Sequence, residues 1–400
     1  MSGFLLTFNA GSSTVKIGLF QFDQASARRI AKGVIDFGTE PPSFHLRQDN
    51  EAYAFMLTSK ADAPIAAILL EVATHLSAHI DMNRIAMIGH RVVHGGDIFA
   101  GPVLIDDESL AKIDQLSSFA PLHQPRCVAL IRALREAYPP LPQAASFDTA
   151  FHRTMPETVR RFALPAELYA QGIKRYGFHG LSYKSIIGKI ATHDPALARK
   201  RIIAAHLGSG ASLCAMKDGV SHDTSMSFST LDGIPMATRS GALDPGVLLH
   251  LLSQNGHSTD ELSDLLYHKS GLLGLSGISG DTRDLLADGS PAALAALDVF
   301  TLRIAGEICR LAATIGGIDA LIFTAGIGEN QPFVREAVCE RLTWLGLELD
   351  KAANATNSFR ITTQSSPVSA FVLETDEEQV IADETLATIM ASDIASHGKG

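Results

Sequence analysis

The sequence predicts an α/β protein made from a duplicated unit, on three observations. An apolar, strand-like run opens each half, at Phe4–Phe8 and again at Arg201–Leu207. Each run enters a glycine-serine turn, Gly11-Ser12-Ser13 in the first half and Gly208-Ser209-Gly210 in the second, and leaves it as another strand. Segments of helical period then follow in both halves. Two such units are expected to hold ligand in a cleft between the copies.

The elements follow in order. Strands are expected at 4–8, 15–20, 33–37 and 43–46. Ile65, Ile68, Leu69, Val72 and Leu76 recur at helical spacing. Ile85–Ile88 reads as a buried strand running into Gly89-His90-Arg91-Val92-Val93-His94-Gly95-Gly96. Pro125 suits a first helical position, with Val128, Ile131 and Leu134 on one face and Pro139-Pro140 beyond the end. In the second half, Ser212–Met216 continues the strand after the turn, and Asp218-Gly219 marks a hairpin. Ser258 with Glu261 makes a capping box. A long helix is expected over about 291–315 and a strand over 319–324. That strand enters a turn at 325–330, with a helix after Pro332. The last 20 residues read as a capped amphipathic helix.

Composition narrows the function. The chain has 400 residues, 46% of them hydrophobic, and a formal net charge of −10. That charge disfavours nucleic acid, and any anionic substrate must meet locally placed cations. Cys127, Cys214, Cys309 and Cys339 form no CxxC pair, so reduced buried thiols are expected in place of disulfides or zinc. No apolar run approaches the ~20 residues of a membrane span. The first strand starts almost at once, with no leader pattern, and a cytoplasmic location is expected.

The candidate chemistry lies in the turns. No P-loop and no complete G-x-G-x-x-G is present. Consecutive backbone N–H groups in a tight turn nevertheless hold an anion without a helix dipole. Alternation places Val15, Ile17 and Leu19 on one face of the second strand, and Lys16 and Gly18 on the other. Lys16 then points where the turn faces; the plainer alternative is a surface hairpin with a solvated lysine. The turn 206–210 (His206, Leu207, Gly208, Ser209, Gly210) and the turn 326–330 (Gly326, Ile327, Gly328, Glu329, Asn330) also follow strands, which fits a nucleotide held by backbone. Arg91 and Arg239 stand at turns and offer the planar fork that suits carboxylate and phosphate. His90 and His94 have i,i+4 spacing, but the surrounding valines and glycines resist a helix and a metal pair there. His123 and His179 stand in loops beside proline or glycine. Asp148 lies near the junction of the halves, as an orienting or metal-linked carboxylate or as a helix cap. No Gly-x-Ser-x-Gly elbow or HExxH occurs, which removes the simplest hydrolase readings.

Taken together, NAGSSTVK, GHRVVHGG, APLHQP, FDTAFH, RYGFHG, HLGSGAS, TRSG, SGISGDTRDL, FTAGIGEN and ETDEEQVIADET, in this order over nearly the whole chain, resemble the acetate kinase family. The resemblance implies two duplicated actin-like (ribonuclease H-like) domains around an interdomain cleft. Residues 1–149 plus about 380–400 would form an N-terminal lobe on the acyl-substrate and dimer side, and 150–379 a C-terminal nucleotide-binding lobe. It implies a cytoplasmic homodimer that reversibly transfers the ATP γ-phosphoryl group to acetate, giving acetyl phosphate and ADP. Propionate or butyrate is the alternative acid. Asn9 and Glu377 would position magnesium or manganese, with Glu378 as the neighbouring candidate. Ser12, Thr14 and Lys16 would lie near the transferred group. Arg91 would bind the acid, whose pocket would be walled by Val93, Leu122, His123 and Phe178. Asp148, His179 and Arg239 would be catalytic. The nucleotide would contact 206–210, Asp281, Thr282, Arg283 and 326–330.

Three positions depart from the family's usual pattern. Ser209 stands where asparagine is common, Thr230 where proline borders the acyl pocket, and Asp376 where asparagine precedes the metal-binding glutamate. An added carboxylate at 376 is expected to alter metal affinity.

Overall fold

Alternation along the first strand decides how the N-terminal part is layered. In β1 (Gly3–Ala10) every residue is buried, so both faces of the strand are covered. The structure, a computed structural model, describes residues 2–11 and 14–397. It divides into two compact units, Met1–Phe151 with Asp376–Gly400, and His152–Thr375.

Among the described residues the first unit holds an eight-stranded sheet. β1 pairs antiparallel with β2 (Thr14–Phe22), and β3 (Ala27–Asp36), β4 (Ser43–Gln48) and β5 (Glu51–Met56) extend that meander. On the other side β1 pairs in parallel with β6 (Ile85–Val92), followed by β8 (Gln143–Phe147) and the short antiparallel β7 (Val103–Leu104). Leu6, Phe8 and Ile17 face α1 (Ile65–Ser77) and α3 (Gln124–Ala137). Val92, Ala145 and Phe147 share a core with Leu110 and Ile113 of α2 (Asp107–Gln115). The opposite face carries Leu5, Phe20 and Met87 and packs on Ala382, Leu386 and Ile389 of the C-terminal helix (Glu377–His397). That helix starts a few residues earlier than the sequence suggests, and the glutamates of its first turn are thereby part of it.

The second unit repeats the frame. Its five-stranded sheet runs β11-β10-β9-β12-β13, with β9 (Ile202–Leu207), β10 (Ala211–Lys217), β11 (Val220–Thr224), β12 (Ala320–Thr324) and β13 (Ser369–Val372). The first sheet contains the same order as β3-β2-β1-β6-β8, antiparallel on one side of the founding strand and parallel on the other. The duplicated α/β architecture expected from the sequence is therefore present. Its helices include α4 (Gly180–His193), α5 (Pro245–Ser253), the 25-residue α6 (Pro291–Ile315) and α7 (Ala325–Asn330). The Ser258–Glu261 capping box is formed in full.

Four further elements differ from expectation. β3 begins at Ala27, because exposed Arg28 and Lys32 blur its alternation. β5 is a half-exposed edge strand, and alanine-rich β8 is buried throughout; neither stands out by hydropathy. The segment 325–330 is a short helix and not a turn.

Gly89 sets how closely the C-terminal helix approaches the first sheet. A Cβ there would collide with Thr385 Oγ1 and Ile381 Cγ2. Gly89→Ala is expected to cost ~1–3 kcal/mol by overpacking, read as a lower urea midpoint. Gly101→Ala, where an added Cβ meets nothing within 4 Å, should stay within ~0.5 kcal/mol of the parent.

Candidate active site

The first unit gathers its polar side chains on the face that carries the C-terminal helix. Asn9, Lys16 and Arg91 point to that face by strand alternation, at the ends of β1, β2 and β6. The Arg91 Nε donates to Asp148 Oδ1 at 3.1 Å and its Nη2 donates to Oδ2 at 2.6 Å. Its Nη1 donates to Asn9 Oδ1 and to the Ala10 carbonyl, both at 3.2 Å. One Nη2 hydrogen has no protein acceptor among the described residues and is available to an incoming carboxylate. Burial works against the Arg91 charge, but Asp148 outweighs it, and the pKa lies above the ordinary arginine value. Asp148 is itself completely buried, just beyond β8.

The amide of Asn9 joins this pair to the C-terminal helix. Its Nδ2 donates to Glu377 Oε2 and to Glu378 Oε1, both at 2.8 Å. Two carboxylates beside an amide oxygen are hard donors and fit magnesium, which takes one or two carboxylates and completes its shell with water and phosphate. Among the described residues no group of three or more His, Cys, Asp or Glu is arranged to hold a metal. As the amide stands, its nitrogen clamps the two glutamates. Asp376 caps the helix by accepting from Gln379 N–H at 3.0 Å, and both its oxygens take the guanidinium of Arg29. Its charge is thus paired with that of Arg29.

Lys16 is exposed, with no ion-pair partner among the described residues. Thr14 is half-buried, and its carbonyl closes the turn by accepting from Gly11 N–H at 2.8 Å. Ser12 lies outside the described residues. Val93 is buried, Leu122 is 46% exposed, and His123 is the residue before α3. Gln124, fully buried, fixes this loop: it accepts from His94 N–H at 3.0 Å and donates to the His94 carbonyl at 2.9 Å. Nothing in the sequence singled out Gln124.

The second unit builds its site around the β9–β10 turn. His179 is the residue before α4 and takes a left-handed conformation, φ 56°, unusual outside glycine. The preceding loop is held by buried His152, which bridges Ser221 Oγ at 2.8 Å and the Phe178 carbonyl at 2.9 Å. Phe178 is buried. Arg239 Nη1 donates to the Thr230 carbonyl at 3.2 Å, so residue 230 anchors the arginine through backbone. A Cβ on Gly210 would lie 3.6 Å from His179 Nε2 and 3.7 Å from Arg239 Nη1; both nitrogens flank the same glycine. Exposed Ser209 accepts from Ala237 N–H at 3.2 Å through its carbonyl.

The proposed nucleotide segments come to this turn. Ala325 lies 3.8 Å from a Cβ on Gly208, and a Cβ on Gly280 would meet the Ala237 carbonyl. Asp281 caps the next helix by accepting from Arg283 N–H and pairs with the exposed Arg283 guanidinium, while Thr282 is buried. Within α7, Gly326 and Asn330 are exposed and Ile327 is half-buried. Gly328 and Glu329 turn inward. Gly328 packs on β9 and β12, and Glu329 Oε1 accepts from Ala325 N–H at 2.8 Å and Thr375 N–H at 3.2 Å. Arg335, fully buried, donates to the Gly328 carbonyl at 2.9 Å and the Glu329 carbonyl at 3.0 Å and so ties α7 down.

The family model described as the Acetokinase family matches residues 4–383. The chain belongs to the acetokinase family. It is 44% identical over 399 residues to an acetate kinase of Methylocella silvestris, a match covering 97% of this chain and 98% of that one. It is 45% identical over 392 residues to an acetate kinase of Rhodopseudomonas palustris, covering 96% and 97%. Among solved structures it resembles a propionate kinase from Francisella tularensis, with TM-score 0.89, 34% identity and coverage of 96% and 99%. It also resembles the Porphyromonas gingivalis acetate kinase, with TM-score 0.85, 34% identity and coverage of 97% and 100%.

Burial holds His90, His94 and His152 uncharged, each with its pKa lowered from 6.5 to about 4. The unfolded chain therefore binds more protons between these limits, and stability is full above pH ~6.5 and lost as pH falls toward 4, by up to ~3 kcal/mol per histidine. Melting midpoints should fall steadily over that window, and His90→Gln should flatten the slope. An unchanged slope would contradict the burial argument.

Proposed function

We propose that this protein is an ATP- and magnesium-dependent acetate kinase. The observation that carries the reading is the placement of both His179 Nε2 and Arg239 Nη1 beside Gly210, in a chain 44–45% identical to acetate kinases over nearly its full length. Phosphoryl transfer needs charge neutralisation and positioning more than covalent help. The second unit offers two donors at a glycine turn, where a nucleotide's terminal phosphates would lie. The first unit offers Arg91 for the acid and Glu377 and Glu378 for the metal, with Asn9 orienting both.

The acceptor carboxylate is already a nucleophile, so no general base is required. Asp148, gripped by Arg91 and withdrawn from solvent, aligns that guanidinium. Magnesium, when bound, supplies positive charge to the phosphate oxygens. Lys16, exposed beside Asn9 across the hairpin, adds a further cation near the transferred group.

Trapping acetyl phosphate as its hydroxamate tests the reading. Wild-type protein with ATP, magnesium and acetate should give product. Arg91→Ala should lower the rate on the order of a hundredfold or more. No product from wild type would refute the assignment. The likeness to a propionate kinase names the competing acid. kcat/KM should favour acetate over propionate, within the ~10–200-fold that one methylene commands.

The homodimer we propose forms through the second unit, and not on the N-terminal side expected from the sequence. α5 is apolar yet has no buried residue, with Val247 44%, Leu249 67% and Leu252 37% exposed. Leu302 of α6 is 51% exposed. A surface of this kind is characteristic of an association face. Leu249→Glu combined with Leu302→Glu should turn a dimer into a monomer by sedimentation velocity; a variant that remains dimeric would exclude this face.

A further inference from the structure

His179 and His206 stack with ring centroids 4.2 Å apart and planes 14° from parallel. Each has its Nδ1 on a serine hydroxyl: His179 on Ser212 Oγ and His206 on Ser182 Oγ, both at 2.8 Å. Ser212 Oγ also lies 2.5 Å from the Tyr183 hydroxyl. Ser182, Tyr183 and Ser212 are wholly buried. The remaining ring nitrogens face the glycine turn, with His179 Nε2 3.6 Å from a Cβ on Gly210 and His206 Nε2 3.8 Å from one on Gly208.

Two imidazolium ions at this separation would repel strongly, so the pair does not carry two charges. Donor capacity toward an anion must then come from the choice of tautomer. A hydroxyl that donates to Nδ1 places the ring proton on Nε2. With the Tyr183 O–H donating to Ser212 and the Ser212 O–H donating to His179 Nδ1, both buried hydroxyl protons have an acceptor. The reverse polarity would aim the lone pair of Nε2 at a bound phosphate.

We propose that Ser212, backed by Tyr183, and Ser182 are positioning residues that hold His179 and His206 as neutral Nε2–H tautomers. Two N–H donors then face the anion at Gly208–Gly210. The catalytic consequence rests on the phosphoryl-transfer reading above; the tautomer assignment does not.

Nitrogen-15 NMR of histidine-labelled protein, at neutral pH and without ligands, tests it. Wild-type His179 and His206 should both show a protonated Nε2 and a bare Nδ1. Ser212→Ala should mix the tautomers of His179 and leave His206 unchanged. Tyr183→Phe, which keeps the ring packed against His152, should shift His179 in the same direction by less. Ser212→Thr should restore the wild-type signal. In acetyl phosphate formation, Ser212→Ala and Tyr183→Phe should lower kcat by up to about tenfold, the value of one neutral hydrogen bond, with KM for ATP within about twofold. A wild-type His179 protonated on Nδ1 overturns the proposal, as does an unchanged tautomer in both variants. Expected tautomers in a protein that forms no acyl phosphate would uphold the tautomer assignment and refute the kinase reading alone.

Discussion

A guanidinium and a carboxylate withdrawn from water together each lose several kcal/mol of hydration, and such a pair persists only where geometry and further hydrogen bonds offset that loss. Arg91 and Asp148 meet this condition. Two N–H groups of the arginine engage both carboxylate oxygens, and the third nitrogen is taken by Asn9 and the Ala10 carbonyl. Strand alternation sends Arg91 and Asn9 to the same face, so the pair ties β6, β8 and β1 into one network. The Asn9 amide extends it to Glu377 and Glu378 on a helix more than 360 residues away in sequence. The candidate metal carboxylates are therefore placed by a buried ion pair, and Gly89 lets the helix that bears them approach the sheet.

The same strand order serves different chemistry in the two units. In the first, the end of β1 presents an amide and the end of β6 an arginine. In the second, the end of β9 presents His206, and β12 ends in Thr324 and the left-handed Ala325. Both frames bring strand ends and a glycine turn to one edge, where a side chain can be added without disturbing the core. Strained backbone occurs there too: among the described non-glycine residues with positive φ are His179 and Ala325, in a conformation held only where surrounding contacts enforce it. The His152 bridge and the Arg335 bonds to α7 are those contacts.

Much of this was legible in the sequence, for identifiable reasons. The two hairpins, α6 and the Ser258 cap rest on local period and local hydrogen bonding, which sequence displays directly. Arg91, Arg239 and His179 were conspicuous because they are polar side chains beside glycines, at a strand end, a turn and a loop. Gln124, His152, Ser212, Tyr183 and Arg335 were not, because their roles lie in contacts between distant segments. Ser212 in particular reads as one more small residue in β10 until His179 is seen on it. Asp376 was legible as a departure, but its consequence was not, since Arg29 lies 347 residues away.

Charge is distributed with equal economy. The chain carries a net charge of −10, yet must attract a nucleotide and a small acid. Burial removes the charge from His90, His94 and His152, and stacking prevents His179 and His206 from both being charged. Arg91 is held protonated by Asp148, and Arg29 is spent on Asp376. Within the first unit, one Nη2 hydrogen of Arg91 and the exposed Lys16 can meet an anion; within the second, the proposed Nε2–H donors of His179 and His206 stand at the glycine turn with the Arg239 guanidinium. Neutral donors bind phosphate without the desolvation cost of a full charge. In each unit such donors can strengthen as negative charge spreads over a transferring group, and only interactions that are stronger in the transition state than in the bound reactants accelerate a reaction.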